Sequence, residues 1–173
     1  MRCFLAFELP EETSKKLMSL KDSLAVKGVK PSAGFHLTLQ FFGEVDEKRI
    51  SEIKNVLKEI KFEPFDASLD GVGVFPNETY VRVVWLGLEP KDKFMALQKL
   101  FASKLKEIGF EQDKDFLPHI TLARVKFIDD TKSFVDKIKV LKVPEVKFKV
   151  DKVKLFKSSL SRDGAVYEVI AEF

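Results

Sequence analysis

Apolar and polar residues change period several times along this chain, and each change marks an element boundary. Residues 2–9 form a nearly continuous apolar run, which reads as a short buried strand. Pro10-Glu11-Glu12 then opens a helix, since proline suits the first turn and acids complement its free N–H groups. Leu17, Leu20 and Leu24 supply the buried stripe, and Gly28 stops it. After a loop at 30–34, residues 35–42 alternate as a strand. Its parity puts His36 and Thr38 on one face and Leu37, Leu39 and Phe41 on the other, in the core. Asp46 suits the N-cap of a second helix, with Ile50, Ile53, Val56, Leu57 and Ile60 at helical spacing. Segments 65–75 and 79–88 read as an antiparallel hairpin around Pro76-Asn77-Glu78. A third helix spans about 92–108, with Gly109 where a left-handed cap is expected.

A second His-containing strand, 117–125, leads into a weaker helix carrying Phe134, Ile138 and Leu141. The last two strands are 146–156 and 165–173, joined by a loop from Ser158 to Gly164. In the first of these the apolar positions switch from even (Val146, Phe148, Val150) to odd (Val153, Leu155), which predicts a bulge near Asp151-Lys152. The resulting order, βαβαββαβαββ, describes an α+β protein with mainly antiparallel sheet. It also holds a repeat: a helix, a His-x-Thr strand, another helix and a strand pair, once in each half. A pseudo-twofold relating the halves would bring the two motifs face to face across a cleft.

At 173 residues with 45% apolar content, the chain fits one domain, residues 1–173, built of two pseudo-repeated lobes. Most of the 17 Phe fall in strand or helix patterns and read as core. The net charge of +3 does not by itself announce a nucleic-acid partner. Between Lys137 and Lys157 eight lysines oppose Glu145 and Asp151; lysines alternating with apolar residues read as the wet face of a strand, with an RNA-guiding surface as the alternative. Cys3 is the sole cysteine, so neither an internal disulfide nor a thiolate metal site is available. No apolar run reaches membrane-spanning length, Glu8 and Pro10 interrupt the only candidate leader, and a cytoplasmic protein with no membrane partner is expected.

The candidate chemistry lies in His36 and His119, the only two histidines. Each is followed two residues later by Thr, in His36-Leu37-Thr38-Leu39 and His119-Ile120-Thr121-Leu122. Imidazole is the side chain that gains or loses a proton near neutral pH, and strand parity sets a hydroxyl beside it. Two such pairs across a groove suit a phosphodiester, where in-line displacement needs a base on one side and an acid on the other. Hydroxyls and a protonated imidazole can hold the non-bridging oxygens, so no metal and no cofactor is expected. Taken singly, each His also reads as a structural strand histidine. Two His without a carboxylate pair make a poor zinc site, no Gly-x-Ser-x-Gly elbow is present, and Gly71-Val72-Gly73 lacks the residues of a phosphate loop. Arg124 could clamp phosphate through its planar fork, although strict alternation sets it opposite His119 and only a twist or bulge would bring it to the cleft.

The two motifs lie 83 positions apart. With Arg2 to Pro10, Phe35 to Val45, Gly71 to Pro76, the string Pro118-His119-Ile120-Thr121-Leu122-Ala123-Arg124, and Leu155 to Leu160 with Gly164 and Tyr167, the chain resembles the 2H phosphoesterase superfamily. Within it, the likeness is to the RNA 2′,3′-cyclic phosphodiesterase branch, also called 2′-5′ RNA ligase or LigT-like. The resemblance implies a bilobal, pseudo-symmetric α+β fold, two mainly antiparallel sheets lining a central cleft with helices outside. It implies metal-free opening of a terminal 2′,3′-cyclic phosphate on RNA to a 2′-phosphate, with reversible 2′-5′ RNA ligation also associated with the family. His36 would be the general acid on the departing 3′ oxygen and His119 the general base on water, with Thr38, Thr121 and Arg124 on the phosphate. The expected partners are RNA ends bearing that phosphate, tRNA fragments among them, met by a monomer. The same chemistry on small cyclic nucleotides or ADP-ribose derivatives, and a non-catalytic RNA-end binding module, are the alternatives.

Overall fold

The structure is a computed structural model and describes residues 1–111, 115–162 and 164–173. Its elements run β1 (Arg2–Glu8), α1 (Glu11–Asp22), β2 (Val29–Pro31), β3 (His36–Glu44), α2 (Glu47–Glu59), β4 (Phe65–Asn77) and β5 (Tyr80–Glu89). They continue α3 (Lys91–Lys106), β6 (His119–Val125), α4 (Thr131–Lys139), β7 (Lys147–Val150), β8 (Lys154–Ser161) and β9 (Gly164–Glu172). Two antiparallel sheets result, in the orders β3-β1-β8-β9 and β2-β6-β5-β4-β7.

Local chemistry explains the helix boundaries. The Asp46 carboxylate accepts from the Arg49 N–H at 2.8 Å and starts α2. Asp130 does the same for α4 through the Ser133 N–H at 2.9 Å, each cap satisfying a donor that the helix leaves open. Gly109 follows α3 with φ +84, as its place in the sequence predicts. The expected hairpin of β4 and β5 turns at Asn77, whose side-chain oxygen accepts from the N–H groups of Thr79 and Tyr80.

Each sheet turns one face to a continuous core shared with the helices. Leu17, Ile53, Leu57, Phe94, Phe101 and Leu105 pack onto it from α1, α2 and α3, and α4 adds Phe134, Val135 and Ile138. From the strands, Leu5, Leu37, Leu86 and Ile120 are completely buried, each contributing about 1.5–3 kcal/mol by leaving water. His36 and His119 therefore stand on strands anchored from behind, on the side away from the helices.

Three expectations change. The 30–34 loop contains a strand: Val29–Pro31 pairs with β6, with Val29 opposite Val125 and Pro31 opposite Ala123. The expected 146–156 strand is two strands in different sheets. Phe148 and Val150 join β4, whereas Leu155 and Phe156 join β1, and Val153 exchanges two hydrogen bonds with Phe173, each 2.9 Å. A change of parity can be met by a bulge or by a change of sheet, and here the chain changes sheet around exposed Asp151 and Lys152. The loop expected from Ser158 to Gly164 is mostly strand, with Ser158 to Ser161 in β8; Asp163 lies outside the described residues.

Candidate active site

The same irregularity occurs in both His strands. In β3, Thr38 pairs with Ala6 but Gln40 pairs with Leu5, so Leu39 is an extra residue. In β6, Thr121 pairs with Trp85 but Ala123 pairs with Val84, so Leu122 is extra. Each is a bulge one position after the Thr, and beyond it the side-chain alternation inverts. The succession of half-buried, buried and exposed positions from His36 to Phe42 matches that from His119 to Val125 residue for residue.

The consequence for Arg124 is direct. The bulge moves it to the face of His119 and Thr121, and it lines the same cavity as both histidines. Phe41, five residues after His36 as Arg124 is after His119, moves likewise. The parity argument that puts Phe41 in the core fails for this reason: it is 63% exposed and stands on the cleft wall.

The cavity has a volume of about 620 Å³ and brings together His36, Thr38, His119, Thr121 and Arg124 with Phe41. Arg2 and Tyr167 also reach it. Behind His36 lies a small aromatic floor: Phe4 stacks on Phe156 at 5.1 Å and 11°, and the imidazole meets the edge of Tyr167 at 5.1 Å and 83°. His119 is met edge-on by Phe75 at 5.1 Å and 89°, and Phe75 in turn stacks on Trp85 at 5.0 Å. Trp85 fits only because it faces Gly73, where a Cβ would collide with the indole ring.

Burial favours neutral imidazole at both positions. His36 falls from 6.5 to about 4 through burial, opposed by the nearby Glu8 carboxylate and assisted by the positive charges of Arg124 and His119. His119 is also lowered, by burial and Arg124, against its hydrogen bond to Leu117. That bond fixes the tautomer: Nδ1–H of His119 donates to the Leu117 carbonyl at 2.8 Å, which leaves Nε2 with a free lone pair. Arg124 acts on both rings, so an anion that paired with it would raise the proton affinity of both.

The basic stretch from Lys137 to Lys157 is largely occupied elsewhere. Lys139, Lys152, Lys154 and Lys157 pair with Glu78, Glu172, Glu8 and Glu168, and Lys137 donates to the Ser23 carbonyl. Those pairings fit the strand-surface reading better than an RNA-guiding one. Among the described residues no three His, Cys, Asp or Glu side chains gather into a group that could hold a metal, and no helix is long and apolar enough to cross a membrane.

All five residues singled out from the sequence thus share one cavity. Sequence reasoning misses Phe41, although its equal offset from the first His, set beside Arg124 in the second motif, carries the signal.

Comparison with known proteins identifies the family of the chain. An RNA 2′,3′-cyclic phosphodiesterase of Methanocaldococcus jannaschii is 36% identical over 176 residues, covering all of both chains. Among solved structures, TT0787 of Thermus thermophilus superposes with a TM-score of 0.80 at 32% identity, over 100% of this chain and 97% of that one. E. coli LigT complexed with 3′-AMP gives 0.78 at 25% identity, over 99% and 96%. The 2′-5′ RNA ligase superfamily profile matches residues 10–162, and the chain belongs to that superfamily of 2H phosphoesterases.

Proposed function

We propose that this protein hydrolyses a terminal 2′,3′-cyclic phosphate on RNA to a 2′-phosphate, with the two histidines as acid and base. What carries the reading is the duplicated His-x-Thr strand with its shared bulge, which aims two imidazoles, two hydroxyls and one guanidinium at one cavity. The names of the relatives supply the substrate class.

His119 is the base, because its Nδ1–H is held by Leu117 and Nε2 is left to take a proton from water. The water oxygen attacks phosphorus, and the bond from phosphorus to the 3′ oxygen breaks. His36 gives its proton to that oxygen, leaving a 3′-hydroxyl and a 2′-phosphate. Thr38, Thr121 and Arg124 hold the non-bridging oxygens, where charge-assisted bonds count most. An incoming phosphate partly cancels Arg124 and lets His36 take up the proton it must donate. The exposed ring of Phe41 offers a stacking face for a base of the RNA. Sealing of a 2′-5′ linkage is the same displacement with the 5′-hydroxyl of a second RNA in place of water: its oxygen attacks phosphorus, His119 takes its proton, and the 3′ oxygen leaves with the proton of His36.

The deciding experiment incubates the protein with 2′,3′-cyclic-phosphate-terminated RNA in EDTA and locates the product phosphate. A 2′-phosphate, lost in both His36→Ala and His119→Ala, is expected. Full activity in either variant refutes the mechanism, and faster turnover of a mononucleotide cyclic phosphate than of the oligonucleotide moves the substrate to small nucleotides. Binding without turnover under every condition would leave only an RNA-end binding module.

A further inference from the structure

The two His strands match closely, yet acid and base must differ. Their cross-strand neighbours differ. His36 faces Glu8 on β1, directly opposite in the antiparallel pair. The equivalent position opposite His119 on β5 is Gly87. Directly opposed residues share a face with their Cβ atoms about 5 Å apart, so one imidazole is directly opposed by a carboxylate side chain and the other by a residue with no side chain.

Glu8 is one member of a row that crosses the whole four-stranded sheet. Lys154 on β8 donates to its carboxylate at 2.6 Å, and Lys154 is also 3.5 Å from Glu172 on β9. Glu172 in turn meets Lys152 at 3.4 Å. The order across the strands is His36, Glu8, Lys154, Glu172, with charge alternating in sign. Lys154 is only 20% exposed, so its grip on Glu8 is weakly screened by water. The other charges facing His36 are Arg124 and His119 from β6, and both oppose its protonation. Tyr167 meets its edge from β9. Among the described residues Glu8 is the one carboxylate acting on His36 in favour of the proton.

On the other sheet, the space above Gly87 is taken by Asp70, whose carboxylate oxygen would lie 3.3 Å from a Cβ built there. That carboxylate lies 3.9 Å from Lys91, and among the described residues the charge acting on His119 is Arg124.

We infer that Glu8, held by Lys154, is the positioning residue that makes His36 the proton donor of this pseudo-symmetric pair, and that Gly87 leaves His119 free to act as the base. The inference rests on the acid role proposed above for His36. Glu8 does not touch the reacting atoms. It sets how readily His36 holds a proton beside a bound phosphate, and Lys154 sets how much of the Glu8 charge His36 feels.

The two residues therefore act on His36 with opposite signs, which a merely structural ion pair would not do. The test compares kcat–pH profiles of wild type, Glu8→Gln and Lys154→Met on 2′,3′-cyclic-phosphate RNA. Titration of the two imidazoles by NMR in protein saturated with inorganic phosphate accompanies it. In Glu8→Gln the basic limb of kcat moves down by about half to one pH unit, so kcat above that limb falls about three- to tenfold while KM changes little. In Lys154→Met the limb moves up, Glu8→Asp restores most of the wild-type profile, and the His119 resonance stays in place throughout. Displacement of both variants in one direction, or an unmoved His36 titration, overturns the inference while an inactive His36→Ala leaves the proposed function standing. An active His36→Ala fails the proposed function itself.

Discussion

The most exacting consequence of the site concerns the proton on His36 when the cleft is empty. Its affinity falls from 6.5 to about 4, chiefly by burial, and such a change corresponds to about 3 kcal/mol in favour of the neutral ring. The sign for stability follows. In the unfolded chain the ring takes up its proton near 6.5, and in the folded chain only near 4. Between those values the unfolded state holds more protons, so the contribution of His36 lowers stability as pH falls from about 6.5 to about 4. Above that window it contributes nothing. Denaturant unfolding at several pH values, for wild type and His36→Ala, isolates the effect, because other groups cancel in the difference. The difference is expected to change by about 3 kcal/mol across the window, and NMR titration of the imidazole locates the midpoint directly. A His36 that titrates at its ordinary value or above in the phosphate-free protein, or a variant with the wild-type pH slope, refutes the reasoning. The same lowering of both rings sets the kcat/KM profile as a bell centred on the acidic side of about 6.5.

Arg124→Gln removes a charge-assisted bond of about 1.5–3 kcal/mol, so kcat/KM should fall about 10- to 100-fold, with both imidazoles titrating higher in the free protein; an unchanged kcat/KM removes Arg124 from the site. Phe41→Ala, at a side chain 63% exposed, should change unfolding free energy by less than about 0.5 kcal/mol while weakening oligonucleotide binding by about 1–3 kcal/mol; equal affinity in both proteins argues against a stacking role. Gly73→Ala forces a methyl into the Trp85 ring and should cost about 1–3 kcal/mol, read as a lower thermal midpoint and an altered emission from the chain's single tryptophan; a midpoint at or above wild type contradicts the close approach.

Much of this is readable from period and punctuation. The helices announce themselves through Asp46 and Gly109, and the β4–β5 hairpin through Asn77, because these residues act locally and touch only their neighbours in sequence. What stays hidden depends on partners far along the chain. Val29–Pro31 is too short and too interrupted by proline to read as a strand, and it survives as one because β2 is an edge, where a missing N–H costs little. The exchange of sheets at Asp151 and the bulge it replaces carry the same parity signature, so only the tertiary fold separates them. Phe41 falls in the core only if alternation runs unbroken through the motif, and nothing in Leu39 marks the bulge that inverts it. The five site residues stand out because their chemistry is rare in this chain, with two histidines in all. Glu8 does not, since a glutamate ending a strand is ordinary until the residue opposite it is known.

The placement of β1 between β3 and β8 bears on how the protein is made. The floor beneath His36 is built from Phe4 near the start and from Phe156 and Tyr167 near the end, and Glu8 meets Lys154 across 146 positions. A ribosome will have released nearly the whole chain before that floor can assemble, so a nascent chain carries its first histidine without its setting. Severing the polypeptide at the exposed Asn77–Glu78 turn would likewise yield two pieces, each holding one histidine and two strands that belong in the other's sheet. On the proposed mechanism neither piece would open the cyclic phosphate alone, and mixing them would restore both sheets together or not at all.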